Sequence, residues 1–228
     1  MILVNEPKYY KFFSESRVHY GFYYKEGLNV LKEPFDPTGT CRSGGFYFTD
    51  INNIMQFQGY GPSISEIEIP DDALVYREDE KFKTDKMIIK KFETFDHGVL
   101  LRLVKEGLNV QQNMKDILYW AIGSRNIETL EYLKAKYDYS IIHNLSTDLY
   151  SYIIRLKLPL LDLIIDHCRH NSLKAFERFV HVSKYSISAA VSIYQIAHPK
   201  IQKLMIAYAE SEDDKTLLNS IKQYINSI

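Results

Sequence analysis

Apolar and polar residues alternate in one way up to about residue 92 and in another beyond it. Ile64-Ser65-Glu66-Ile67-Glu68-Ile69 repeats with period two, the pattern of a strand with one buried face, and Pro70-Asp71-Asp72 ends it. Val18 to Tyr24 predicts a strand leading to a turn at Gly27, and Phe46 to Thr49 a short aromatic strand after Gly44-Gly45. Leu74-Val75-Tyr76 predicts a further strand, while Met87-Ile88-Ile89 suits either a strand or the first turn of a helix. Asp50 is placed to cap a short helix through Met55, Gln56 and Phe57. Further on, the spacing changes to three and four. Leu100, Leu103 and Val104 predict a helix closed by Gly107, and helices follow through Ile117 to Ala121 and through Ile127, Leu130 and Leu133. The last triad returns 31 residues later as Leu158, Leu161 and Ile164. Such a period, built of helix pairs, predicts an all-α solenoid. Its expected core is Trp120, Ala121, Ile127, Leu130 and Leu133, then Leu158, Leu161 and Ile164.

Composition sharpens the division. Residues 1–92 hold 12 of the 17 glycines and prolines and 17 of the 31 aromatics, which favours turns and pleated surfaces there. We therefore expect a small α+β domain over residues 1–92 and about four helix pairs over residues 93–228. The net charge of −1 supplies no field toward nucleic acid or an anionic membrane. No apolar run approaches the ~20 residues that span a bilayer, and the N-terminus lacks the pattern of a secretory signal. Cys41 and Cys168 form no CxxC, so neither a disulfide scaffold nor a zinc module is expected. His167 and His170 flank Cys168 at helical spacing, but no second ligand pair completes a metal site. Nucleotide-loop and hydrolase motifs are absent, and no cofactor is expected. The six residues Lys25 to Val30 recur identically at Lys105 to Val110, which reads as a reused loop and glycine turn.

Ala121 to Leu133 resembles the ankyrin-repeat line A-x-x-x-G-H/N-L/I-E-x-V-x-x-L. Asn126, Ile127, Glu128, Leu130 and Leu133 fall on pattern, and Arg125 replaces the usual glycine. Leu103 to Val110 is similar to the segment that closes a repeat's second helix. The opening T-P-L-H is absent, which implies degenerate units with shortened or missing finger hairpins. Three further blocks, His19 to Asn29, Cys41 to Asp50 and Lys81 to Lys86, resemble the N-terminal module of ankyrin-repeat proteins from giant DNA viruses of amoebae.

This resemblance implies an α+β N-terminal module followed by an all-α solenoid of degenerate ankyrin-like helix pairs. The implied function is non-enzymatic protein–protein interaction. A host or viral protein would lie across the solenoid, and the N-terminal domain would cap its first unit through Val99, Leu100, Leu103 and Leu108. A monomer in the host cytoplasm or virus factory follows. The alternative comes from His19 with Gly21 and from Gly45 to Thr49, which resemble ADP-ribosyltransferases. There His19 would hold the nicotinamide ribose, Tyr47 would stack on nicotinamide, and Asp85, Glu66 or Glu68 would polarise the ribose. That reading requires His19 and Tyr47 to line one cleft.

Overall fold

The computed structural model describes residues 7–38, 41–137, 172–197 and 199–227, with positions 149, 153, 156, 158–160 and 163 between them. Leu161, Ile164 and His167 to His170 lie outside the described residues. The chain divides into two compact units, Met1–Trp120 and Ala121–Ile228.

The first unit is built on strands β1 (Tyr9–Phe13), β2 (Val18–His19), β3 (Phe22–Tyr23), β4 (Gly27–Val30) and β5 (Phe46–Asp50). A 3-10 helix (Ile54–Tyr60) leads to β6 (Ser63–Glu68), β7 (Val75–Glu78), β8 (Lys81–Thr84), β9 (Lys86–Ile89) and β10 (Glu93–Thr94). Eight of these strands form one antiparallel sheet in the order β4-β9-β6-β1-β5-β8-β7, with β10 also paired to β6. β2 and β3 stand apart as a hairpin.

β1 is central, with β6 along its full length on one side and β5 on the other only at Tyr9 and Tyr10. Its pleat sends alternate side chains to opposite faces. Tyr9 and Phe13 enter an aromatic core with Tyr24, Phe46, Phe48, Met87 and Ile89. On the other face Phe12 meets Phe95 edge-on at 5.0 Å, and the Tyr10 hydroxyl donates to Glu106. Glu106 ends helix α1 (His97–Glu106), which Asp96 caps by accepting from the Val99 amide at 2.9 Å. Val99, Leu100 and Leu103 on this helix, and Leu108 after it, are buried.

Helix α2 (Met114–Gly123) runs across the boundary between the units. α3 (Ile127–Tyr137) follows, and α4 (Ser172–Ser183), α5 (Ile187–Ile196), α6 (Pro199–Ser211) and α7 (Lys215–Ile225) complete the described helices. α4 packs on α5 and α6, and α7 packs on α5 and α6. Short polar residues start them: Ser186 accepts from the Ala189 amide, and Asp214 from the Leu217 amide at 2.9 Å. Ala121, Leu130, Leu133 and Leu158 are buried, Trp120 is partly buried, and Ile127 is 43% exposed.

The expected fold class is corrected at both ends. The region expected to be α+β is an antiparallel sheet of eight strands, and the 3-10 helix is its one helical element before His97 among the described residues. Asp50 does not cap that helix, whose N-cap is Asn53 without a side-chain cap bond; its carboxylate accepts from the Asn52 and Asn53 amides in the turn before it. The helices beyond are not shown to form an ankyrin solenoid. Among the described residues no strand or finger hairpin lies between Ile127 and Ser227, as the missing T-P-L-H opening leaves nothing to make one. Val18 to Tyr24 is also not one strand, because Tyr20 (φ 49°) and Gly21 (φ 75°) fold it into a two-residue hairpin with both turn residues left-handed.

One glycine is sterically required. Gly61 has φ 151°, and a Cβ placed there would lie 2.2 Å from the Phe13 carbonyl oxygen. Gly61→Ala is therefore expected to cost at least about 2 kcal/mol, read as a lower urea midpoint with an unchanged slope.

Candidate functional site

A hollow opens where β1 and β5 part. Their pairing stops at Tyr10–Thr49, although β5 runs on to Phe46. Beyond that point Lys11 and Phe12 face Tyr47 and Phe48 across an open hollow of about 450 Å³, solvent at its mouth included. The 3-10 helix closes one wall with Ile54, Phe57 and Tyr60, and the β2–β3 hairpin contributes His19 and Tyr20. Cys41 and Lys81 complete the rim. A second hollow adjoins it, sharing Lys11, Phe12, His19 and Tyr60 and adding Arg17 and Tyr24.

The hairpin turn sets the rim. With Tyr20 held left-handed, its ring lies tilted against His19 with centres 4.2 Å apart, and its hydroxyl donates to the Cys41 carbonyl. His19 also meets Tyr60 edge-on at 5.5 Å. Cys41 is itself left-handed (φ 54°), and backbone strain of this kind gathers at functional sites. The Tyr47 hydroxyl accepts from the Arg42 amide at 3.0 Å, and burial raises its pKa. Lys81 donates to the Cys41 sulfur at 2.7 Å and pairs with Glu78 at 3.0 Å; burial opposes its charge, but these partners win and raise its pKa.

Lys11 is the unusual member. It is only 8% exposed on a central strand, and its ammonium lies 5.2 Å and 5.4 Å from the ring centres of Tyr24 and Phe13. No hydrogen bond or carboxylate contact reaches it among the described residues. Burial alone pulls its pKa down to about 8. Burial, with the Lys11 charge nearby, pulls His19 down to about 4. Neither hollow has an Asp or Glu among its lining residues.

His19 and Tyr47 thus line one cavity, as the transferase-like reading requires. Asp85 does not join them. Its carboxylate accepts from the Leu74 amide at 2.7 Å and its carbonyl from Leu31, so it fastens the chain around β7 and β8. Glu66 and Glu68, on β6, are likewise absent from the lining. The sequence reading missed Lys11, Arg17 and Lys81. A lysine inside Tyr9-Tyr10-Lys11-Phe12-Phe13 was the available signal, because a charge amid a strand of aromatics is seldom buried without purpose. Among the described residues no cluster of His, Cys, Asp and Glu could hold a metal ion, and no helix is long and apolar enough to cross a membrane.

The buried charge has a thermodynamic signature. Lys11 drops from the usual 10.5 to about 8 on folding, so its cost is full below pH 8 and fades as pH rises to 10.5. Lys11→Met is expected to raise stability on the order of 3 kcal/mol at pH 7, with the gain shrinking toward pH 10.5. Urea unfolding at the two pH values measures it.

No protein-family model matches the chain, and no solved structure matches it significantly. Relatives come from Acanthamoeba polyphaga mimivirus. One, named as ankyrin repeat protein R868, is 28% identical over 121 residues, covering 50% of this chain and 59% of its own. Uncharacterized protein R869 is 29% identical over 127 residues, 53% of this chain and 92% of its own. Another, named as ankyrin repeat protein R896, is 24% identical over 131 residues, 54% of this chain and 40% of its own. The match thus spans about half the length of the two ankyrin-named relatives. The three blocks around Gly21, Gly45 and Lys83 and the likeness to these relatives point the same way: over about half its length the chain is similar to mimivirus proteins, two of them named as ankyrin repeat proteins.

Proposed function

We propose that the chain is a non-enzymatic protein-interaction module that binds a host or viral protein through its C-terminal helices. The observation that carries this reading is the naming of its relatives as ankyrin repeat proteins, a class whose repeats work by surface recognition. The exposed apolar side chains of the helical unit support it. Tyr185, at the turn between α4 and α5, is 76% exposed, and Leu204 on α6 and Ile225 on α7 are 52% and 45% exposed. Large apolar groups held in water are candidate anchors for a partner. In the same proposal the N-terminal unit caps the helices, with Val99, Leu100, Leu103 and Leu108 as the packing residues.

The transferase-like alternative rests on His19 and Tyr47 at one cavity. It lacks an acid, since no carboxylate lines that cavity among the described residues, and the ribose would go unpolarised.

Two experiments test the proposal. Tagged chain used as bait in amoebal lysate should capture a protein by mass spectrometry that Tyr185→Ser and Leu204→Ser capture at least about five-fold less. Equal capture by both variants would sink the helical surface as the binding face. Leu103→Asp buries a charge at a fully enclosed position, which is destabilising by several kcal/mol. Under the capping proposal it lowers the melting of the whole chain in one transition, and two separated transitions by circular dichroism would refute the cap.

A further inference from the structure

We propose that the two adjoining hollows of the N-terminal unit form one binding site for a small organic anion that carries a flat ring. The site is distinct from the helical surface proposed above and stands on its own observations.

Charge is the first of these. Lys11 and Arg17 line the hollows together, with Lys81 at the far rim, while carboxylates are missing from both linings. The whole chain carries one net negative charge, so this concentration of cations is local. Lys81 is answered by Glu78 and Arg17 by the face of Phe92 at 4.1 Å, but among the described residues Lys11 meets only the ring faces of Phe13 and Tyr24. Ring faces return part of the hydration that an ammonium loses, and an anion returns far more. A lysine buried this deeply is ordinarily paired. Here the partner has room to arrive from outside.

Shape and lining supply the second. The hollow is open to solvent at its mouth and lined mostly by aromatic and aliphatic side chains with a few polar groups among them, the make-up of small-molecule sites. The walls beside Lys11 are the rings of His19, Tyr20 and Tyr60, two of them half in solvent at the mouth. A flat ring entering there stacks on aromatic faces while its charged group reaches the ammonium. Burial holds the Lys11 pKa down to about 8, which still leaves most of it charged at pH 7 and ready for the anion.

The test uses the full chain and two probes of like shape, 2-naphthoate and its neutral counterpart 2-naphthalenemethanol, titrated by calorimetry at pH 7. The wild-type chain should bind naphthoate at least about ten-fold more tightly than the alcohol. Lys11→Met should erase that preference while leaving the alcohol's affinity unchanged, because the side-chain volume is kept and only the charge is lost. Tyr60→Ser should weaken both probes. A cooperative thermal melt checks each variant, and Lys11→Gln replaces Lys11→Met if the latter gives none. The proposal is overturned if naphthoate fails to bind the wild type, if the alcohol binds equally well, or if the preference survives without Lys11.

Discussion

The N-terminal unit depends on the pairing of β1 with β6. That ladder places a five-residue strand in the middle of the sheet and divides its side chains between two layers. Tyr9 and Phe13 build the aromatic core on one face, and Tyr10 and Phe12 hold the α1 side through Glu106 and Phe95. A slip of one residue would exchange these sets and send Lys11 to the other face, so the register is fixed by burial on both sides. The cavity is a by-product of the same arrangement. β1 commits fully to β6 and only briefly to β5, and the space left between the parting strands holds the site.

How much of this was legible varies with the range of the interactions involved. β6 was plain in the sequence because its alternation is local and Pro70 closes it. α1 was plain because Leu100 and Leu103 repeat at helical spacing and Gly107, at φ 122°, ends the helix. β1 escaped notice, since Tyr-Tyr-Lys-Phe-Phe is apolar on both faces apart from Lys11 and shows no period. Central strands covered on both sides lack alternation for that reason. That His19 and Tyr47 share one hollow was anticipated as a requirement, whereas Lys11 was not, because what makes it unusual is its burial without a charged partner among the described residues. The ankyrin-like pattern agrees with the names of relatives, but the described helices are not shown to form an ankyrin solenoid, for likeness at this level does not fix the turn residues that shape each unit.

The repeated hexapeptide shows the limit of local sequence directly. In the first copy Gly27 to Val30 is a strand, with Leu28 and Val30 half exposed and Asn29 buried, its side chain bonded to the Lys25 and Gly27 backbone. In the second, Lys105 and Glu106 end a helix, Leu108 and Val110 are buried, and Asn109 faces solvent, where it accepts from the Gln112 amide. Identical residues show opposite faces to the core. Only the glycine keeps its part, left-handed in both copies. Surroundings more than 20 residues away decide the rest, as tertiary context commonly does for β propensity.

The central place of β1 also has a consequence for synthesis. Its full-length partner β6 begins 50 residues after β1 ends, so β1 leaves the ribosome well before it. At ~5–20 residues per second, the strand spends several seconds outside the tunnel with both edges unpaired. An aromatic strand in that condition invites pairing with neighbouring nascent chains, and the ammonium of Lys11 at its midpoint is the charge that discourages it. The residue that weakens the finished fold therefore protects the unfinished one.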